Sequence, residues 1–210
     1  MTERAIAYIT DIFAGDSSGH DAAHTLRVLR LAERIAIAEG AELQTVRLAA
    51  LLHDVDDRKL SPETAEGKLR ARAFLEREGM EEAQIQKILT IIGQVSFRGT
   101  DSVAPDTLEG RCVQDADRLD AMGAVGIGRA FAFGGSRGRS LYDPSDRPSG
   151  MPGGVEYEAR SGSTVAHFYE KLLHLQGLLN TDTAKQIGLH RHRCMEAFLE
   201  EFLAEWEGIR

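Results

Sequence analysis

A chain of 210 residues with 42% hydrophobic and 28% charged residues has the make-up of a soluble globular protein, and its length can bury a core without cross-links. A formal net charge of −8 argues against stable binding to nucleic acid or to an anionic membrane, while a local basic pocket for a phosphorylated small molecule stays compatible with it. No segment reaches the roughly 20 apolar residues of a membrane span, and Cys112 and Cys194 stand far apart with no Cys-x-x-Cys, so a cytoplasmic protein without disulfides is expected.

In chain order, MTERAIAYITDIF at the N-terminus has no long apolar run after its charges and does not read as a secretory leader. Ala, Leu, Glu and Arg dominate most of the chain beyond it, and alternating β-branched runs are few. The predicted fold class is all-α and the predicted organisation one domain over 1–210. Helices are expected at about 2–14, 20–39, 42–54, 62–78, 81–93, 106–121, 122–133, 163–179 and 182–207. Gly40 reads as a C-terminal glycine, Ser61-Pro62 as a helix start, and Thr181 or Asp182 as the cap of the last helix.

Residues 134–162 break the pattern. They hold seven of the 21 glycines and three of the five prolines, together with Arg137, Arg139, Arg147 and Arg160. A flexible loop is expected there, either a mobile surface segment or a lid whose arginines meet phosphates.

Three helices each turn a metal-ligand type of side chain inward. His20, His24, Val28, Leu31 and Ile35 share one face of the second helix. Val46, Ala49, Ala50 and His53 share one face of the third, with Asp54 beside His53. Val113, Ala116, Asp117, Asp120 and Ala124 would line one side of a continuous helix. Each has an ordinary reading alone: a hydrogen-bonded core histidine, a solvated aspartate, an aspartate paired with Arg27 or Arg118. Yet a buried carboxylate without compensation costs on the order of several kcal/mol. One cation shared by His24, His53, Asp54 and Asp117 would resolve every burial problem at once.

The motifs HTLRVLRLA (24–32), LLHDVDD (51–57) and DADRLD (115–120) resemble the H…HD…D pattern of the HD-domain phosphohydrolase superfamily. QVSF (94–97), DADRLDAMGAVGIGRAF (115–131) and HFYEKLLHL (167–175) are similar to a bacterial single-domain branch of it, so the likeness covers most of the chain. It implies an HD-domain helical fold, about eight or nine helices around a metal site. It also implies His24, His53, Asp54 and Asp117 as ligands of one divalent ion. Proteins of that branch are similar to nucleoside triphosphate pyrophosphohydrolases, which cleave the α–β phosphoanhydride to monophosphate and pyrophosphate. By the same resemblance Asp57, four residues beyond His53, orients or deprotonates water beside Asp54, and Lys59 and Arg118 contact phosphate.

A donor set of two imidazoles and two carboxylates suits Mn²⁺ best, with Mg²⁺, Ni²⁺, Co²⁺ and Fe²⁺ as alternatives. Arg27 would add phosphate neutralisation, and Asp120 either orients a histidine or reads the sugar. His20 stands where a further ligand or a substrate contact belongs. His167 and Lys171, one turn apart and followed by His174, either reach a phosphate tail or form a solvated face. Met195, Phe198, Leu199, Phe202 and Trp206 read as core, with a homodimer contact as the other option. The expected partner is a small-molecule nucleotide or phosphate ester. Alternatives to pyrophosphohydrolysis are 5′-nucleotidase or phosphodiesterase action, or a non-catalytic nucleotide-sensing module.

Overall fold

Apolar spacing and helix caps account for most of the architecture. The computed structural model describes residues 1–14, 21–57, 62–97, 99–146 and 162–210, which form ten α-helices, one 3-10 helix and no strand. These are α1 (Thr2–Ile12), α2 (Ala22–Glu39), α3 (Leu43–Leu52), α4 (Pro62–Ala65), α5 (Leu69–Arg77), α6 (Glu82–Val95), α7 (Leu108–Asp120), α8 (Gly123–Ser136), α9 (Thr164–Glu170), the 3-10 helix (Leu172–Leu178) and α10 (Asp182–Trp206). Packing divides the chain into two units, Met1–Ser96 with Val103–Asp117, and Phe97–Ser102 with Arg118–Arg210. No helix among the described residues is long and apolar enough to cross a membrane.

In the first unit α3 is central, packed against α1, α2 and α6. Val46, Leu48, Ala49, Ala50, Leu51 and Leu52 are all fully buried. A helix apolar on nearly every side belongs inside, and each such leucine contributes roughly 1.5–3 kcal/mol by leaving water. Glu42 starts α3, its two carboxylate oxygens accepting the N–H groups of Gln44 and Thr45 at 2.8 Å. Asp21 starts α2, accepting the His24 N–H at 2.7 Å. Gly40 ends α2 as expected, with φ 76° and its N–H on the Ala36 carbonyl.

The helix expected over 62–78 is instead two, α4 and α5. Gly67 (φ 78°) and Lys68 (φ 54°) turn left-handed between them. Glu66-Gly67-Lys68 sits inside an otherwise helical composition, so periodicity does not reveal the break. Lys68 is the only non-glycine with positive φ among the described residues, and such a conformation costs roughly 1–2 kcal/mol for a residue with a Cβ.

In the second unit α8 packs on α9 and α10, and the 3-10 helix on both α9 and α10. Phe131, Phe168, Phe198 and Phe202 form its aromatic centre, with ring centroids 5.7–6.1 Å apart. Gly188 permits α10 to approach Leu179, because a Cβ there would lie 2.3 Å from Leu179 Cδ1. Thr181, one of two expected caps, starts α10 by accepting the Ala184 N–H. The helix expected over 163–179 is a correction: Lys171 (φ −138°, ψ −61°) ends α9, and a 3-10 helix follows. Likewise α7 ends at Asp120, so Ala124 is not on its face but exposed on α8. In the segment read as a loop over 134–162, α8 continues to Ser136, and Arg137 and Arg139 stand 5.4 and 5.9 Å over the Phe133 ring. Arg147 and Arg160 lie outside the described residues.

Cys112 is buried in α7 and its thiol is pushed up to about 12, first by burial and then by the negative charge of Asp115. A raised thiol pKa leaves no reactive thiolate at neutral pH. Cys194 is half-buried. A disulfide reagent at pH 7.5 is therefore expected to titrate one of the two cysteines rapidly in the native protein and both in denaturant. Rapid modification of Cys112, located by mass spectrometry, would contradict this core placement.

Candidate metal centre

The ends of three helices supply the chemistry. Asp21 caps α2 and so places His24 in its first turn, 1% exposed. His53 sits at the C-terminal cap of α3 in helical conformation, and Asp54 follows it into a turn. Asp117 lies in the last turn of α7. All four residues belong to the first unit.

Their donor atoms converge. His24 Nε2 is 3.4 Å from Asp54 Oδ2 and 3.5 Å from Asp117 Oδ1. His53 Nε2 is 3.3 Å from Asp54 Oδ2 and 3.9 Å from Asp117 Oδ1. The donors of His24, His53 and Asp117 all lie within 4.8 Å of one another. Two donors about 2.1 Å from a common ion are separated by about 3.0 Å at a right angle and about 3.4 Å at the tetrahedral angle. The observed spacing falls at and slightly beyond that range, so the site fits a first-row divalent cation after small side-chain adjustments. The two rings meet edge-on at 5.4 Å and 65°, which keeps both Nε2 atoms aimed inward without stacking.

The tautomer of His53 follows from its other nitrogen. Nδ1 is 2.8 Å from the Ala50 carbonyl, which only accepts, so Nδ1 carries the proton and donates. Nε2 then presents its lone pair to the cluster, the form a metal ligand requires. Two carboxylates around two such imidazoles formally bring two negative charges into a largely buried space, with side-chain exposures of 2%, 4%, 10% and 26% for His24, His53, Asp54 and Asp117. A divalent cation is the natural complement to that charge.

The other expected site residues have varied surroundings. Arg27 is half-buried on α2, one turn from His24. Asp57 is half-buried, its N–H donating to the Asp54 carbonyl at 3.0 Å. His20 and Lys59 lie outside the described residues. Arg118, Asp120, His167 and Lys171 belong to the second unit. Arg118 is 4% exposed and donates through Nη1 to the Leu178 carbonyl. Asp120 is buried and accepts from Arg129 Nη1 at 2.6 Å. Lys171 Nζ stands 4.5 Å over the Phe97 ring, and His167 is half-buried on α9. The stripe expected to continue to His174 does not run along one helix, since α9 ends before Lys171 and His174 Nε2 donates to the Tyr169 carbonyl at 2.8 Å.

Two participants carry little or no signature in the sequence. Arg129, the partner of Asp120, belongs to no ligand or base pattern. Asp56 is fully buried, and Arg70 N–H and Ala71 N–H donate to its two carboxylate oxygens at 3.1 and 2.9 Å. A signal for Asp56 does exist, since DVDD holds an acid that neither the ligand pattern nor the expected base accounts for.

Residues 21–122 match the family model of the HD domain. Over its whole length the chain is 37% identical to YpgQ, an uncharacterized protein of Bacillus subtilis, 95% of which is covered. A crystal structure from Lactobacillus plantarum matches with a TM-score of 0.87 at 38% identity, over 99% of this chain and 97% of that one. An HD-superfamily hydrolase from Bacillus thuringiensis matches with a TM-score of 0.77 at 40% identity, over 98% and 96% of the two chains. The crystal structure of YpgQ in complex with ADP matches with a TM-score of 0.77 at 34% identity, over 100% of both chains.

A ligand that binds only the folded state at a concentration 100-fold above its Kd stabilises by about 2.7 kcal/mol. For a chain of this size that corresponds to a rise in Tm of about 5–10 °C. Saturating Mn²⁺ is expected to produce such a rise in the wild type, read by scanning calorimetry, and none in Asp54→Ala or His53→Ala. An equal rise in both variants would place metal binding elsewhere.

Proposed function

Because the chain belongs to the HD-domain phosphohydrolase superfamily and is a metal-dependent phosphohydrolase, we propose that it cleaves the α–β phosphoanhydride of (deoxy)nucleoside triphosphates, yielding monophosphate and pyrophosphate. The observation that carries this reading is the cluster of His24, His53 and Asp117 donors within 4.8 Å of one another, with Asp54 Oδ2 3.4 and 3.3 Å from the two histidines. The nucleotide class is supported by YpgQ, a full-length relative crystallised with ADP. The choice of the α–β bond rests on the likeness of 94–97, 115–131 and 167–175 to pyrophosphohydrolases of the superfamily.

In this mechanism the four residues would hold one divalent ion, Mn²⁺ suiting a mixed imidazole–carboxylate donor set. When bound, such an ion supplies Lewis acidity toward water and toward a phosphoryl oxygen. His53 Nδ1 is held on the Ala50 carbonyl, which leaves Nε2 as the nitrogen facing the site. Asp57, four residues beyond His53, takes a proton from the attacking water. The water oxygen forms a bond to the α-phosphorus as the bond from that phosphorus to the bridging oxygen breaks. Pyrophosphate leaves with that oxygen and its electron pair. Arg27 and Lys59 neutralise charge on the polyphosphate. Arg118 and Asp120 receive supporting roles, in keeping with their buried contacts to Leu178 and Arg129.

A screen of nucleoside mono-, di- and triphosphates with Mn²⁺, Mg²⁺, Co²⁺ and Ni²⁺ is expected to show turnover of triphosphates with one pyrophosphate per monophosphate. Orthophosphate released from monophosphates alone would replace this reading with a nucleotidase. Loss of a general base typically lowers kcat by about 10²–10⁴-fold, so Asp57→Asn is expected to fall in that range while still binding Mn²⁺. An Asp57→Asn enzyme of wild-type kcat would remove Asp57 from the mechanism.

A further inference from the structure

Asp56 lies two residues beyond Asp54, in the same turn, and is fully buried. Its carboxylate faces the start of α5, where Oδ1 accepts the N–H of Arg70 and Oδ2 that of Ala71, at 3.1 and 2.9 Å. Arg70 and Ala71 are the second and third residues of α5. Those are the two N–H groups that a helix-capping side chain normally satisfies. The residue at the cap position itself, Lys68, is left-handed at φ 54° and ψ 51° and makes no side-chain cap. Asp56 therefore caps α5 from an earlier stretch of the chain, and the positive end of the helix compensates its buried charge.

The His53–Asp56 turn is held from within as well. Val55 N–H donates to the Leu52 carbonyl at 3.4 Å, and Asp57 N–H to the Asp54 carbonyl at 3.0 Å. His53 Nδ1 is fixed on Ala50. Those bonds stay within residues 50–57, so they set the shape of the turn without anchoring it to another helix. The two bonds of Asp56 supply such an anchor, and α5 is in turn packed on α6, which packs on α3. Tyr8 reports the same charge. Its hydroxyl donates to the Arg70 carbonyl at 3.3 Å, and its phenol is pushed up first by burial and then by Asp56.

We propose that Asp56 is a positioning residue for the metal centre, tying the turn that carries His53 and Asp54 to the N-terminus of α5 and so setting how well those two ligands meet a divalent cation. This inference rests on the metal reading of the site and is independent of which nucleotide bond is cleaved. It makes α5 and the metal site mutually dependent: whatever steadies the turn steadies the first turn of α5, and the reverse.

The test uses the full chain and Mn²⁺ alone, with no substrate. Altering a residue that orients metal ligands typically weakens affinity by about 10–100-fold. Asp56→Asn, which keeps the shape and one acceptor, is expected to bind Mn²⁺ at least tenfold more weakly by calorimetric titration and to alter the visible absorption spectrum of bound Co²⁺. Glu42→Ala removes the cap at the far end of α3 and is expected to lower Tm while leaving Mn²⁺ affinity and the Co²⁺ spectrum unchanged. In the wild type, Mn²⁺ is expected to slow hydrogen exchange at the Arg70 and Ala71 amides. A folded Asp56→Asn protein with wild-type Mn²⁺ affinity and Co²⁺ spectrum would overturn the proposal. If that variant does not fold, the exchange measurement on the wild type decides, and amides indifferent to Mn²⁺ would overturn it equally. A protein that binds Mn²⁺ in this way but fails to hydrolyse triphosphates would refute the substrate reading and leave Asp56 in its role.

Discussion

The candidate metal centre depends on donor atoms being held close together by parts of the chain that are far apart in sequence. Two imidazoles and two carboxylates have no intrinsic reason to gather in a buried space, since each loses hydration there and the carboxylates repel. The force that gathers them is apolar. α3 is buried on almost every side, and α2 packs directly along it, so the fold has little freedom in where His24 and His53 end up. The polar cluster is placed at helix ends, where local caps and turns aim the side chains. Asp21 aligns the first turn of α2, and the Ala50 carbonyl locks the His53 ring. Hydrophobic burial brings the helices together, and hydrogen bonds at their ends orient the ligands.

How much of this is legible in the sequence follows from the same division. Apolar periodicity reports which face of a helix is buried, so residue spacing alone assigns His24 and His53 inward. The H…HD…D pattern then links fragments that periodicity cannot connect. Helix ends are legible where the capping signal is local, as at Gly40 and Thr181. They are hidden where the cause is distant. The break at Gly67-Lys68 is held by a carboxylate at position 56, and the break at Lys171 lies in a run that reads as helix throughout. Side-chain partners across long separations are the least legible. Arg118 donates through Nη1 to the carbonyl of Leu178, 60 residues away, a contact that no local pattern announces.

The second unit differs in what fills it. Its centre is four phenylalanines, and its buried charges include Asp120, which accepts from Arg129, and Arg118, which donates to Leu178. A buried ion pair of this kind contributes little net stability over an apolar substitute, but removing one partner leaves a charge whose desolvation is uncompensated. Residues of this type look functional in a sequence because they are charged and sit beside motif residues. Here their contacts tie the end of α7 to the last residue of the 3-10 helix and to α8.

The turn after α3 shows why one short segment carries so many acids. Asp54 points to the cluster, Asp56 to α5, and the Asp57 N–H donates back to the Asp54 carbonyl. The i→i−3 bonds of Val55 and Asp57 make this a helical turn, in which residues two apart face different directions, so one peptide serves the cluster and the anchor at once. Closing the segment between Asp56 and Arg70, 14 residues apart, has a length-dependent entropy cost of about 2.3 kcal/mol. Two hydrogen bonds to a charged acceptor contribute roughly 1.5–3 kcal/mol each, enough to offset both that closure and the left-handed conformation of Lys68. Hydrogen bonds to a neutral side chain at position 56 would contribute only about 0.5–1.5 kcal/mol each, short of those two costs together, so α5 would no longer hold the turn. The negative charge at position 56 is therefore best understood as part of what keeps His53 and Asp54 in register, even though it points away from the cluster they form.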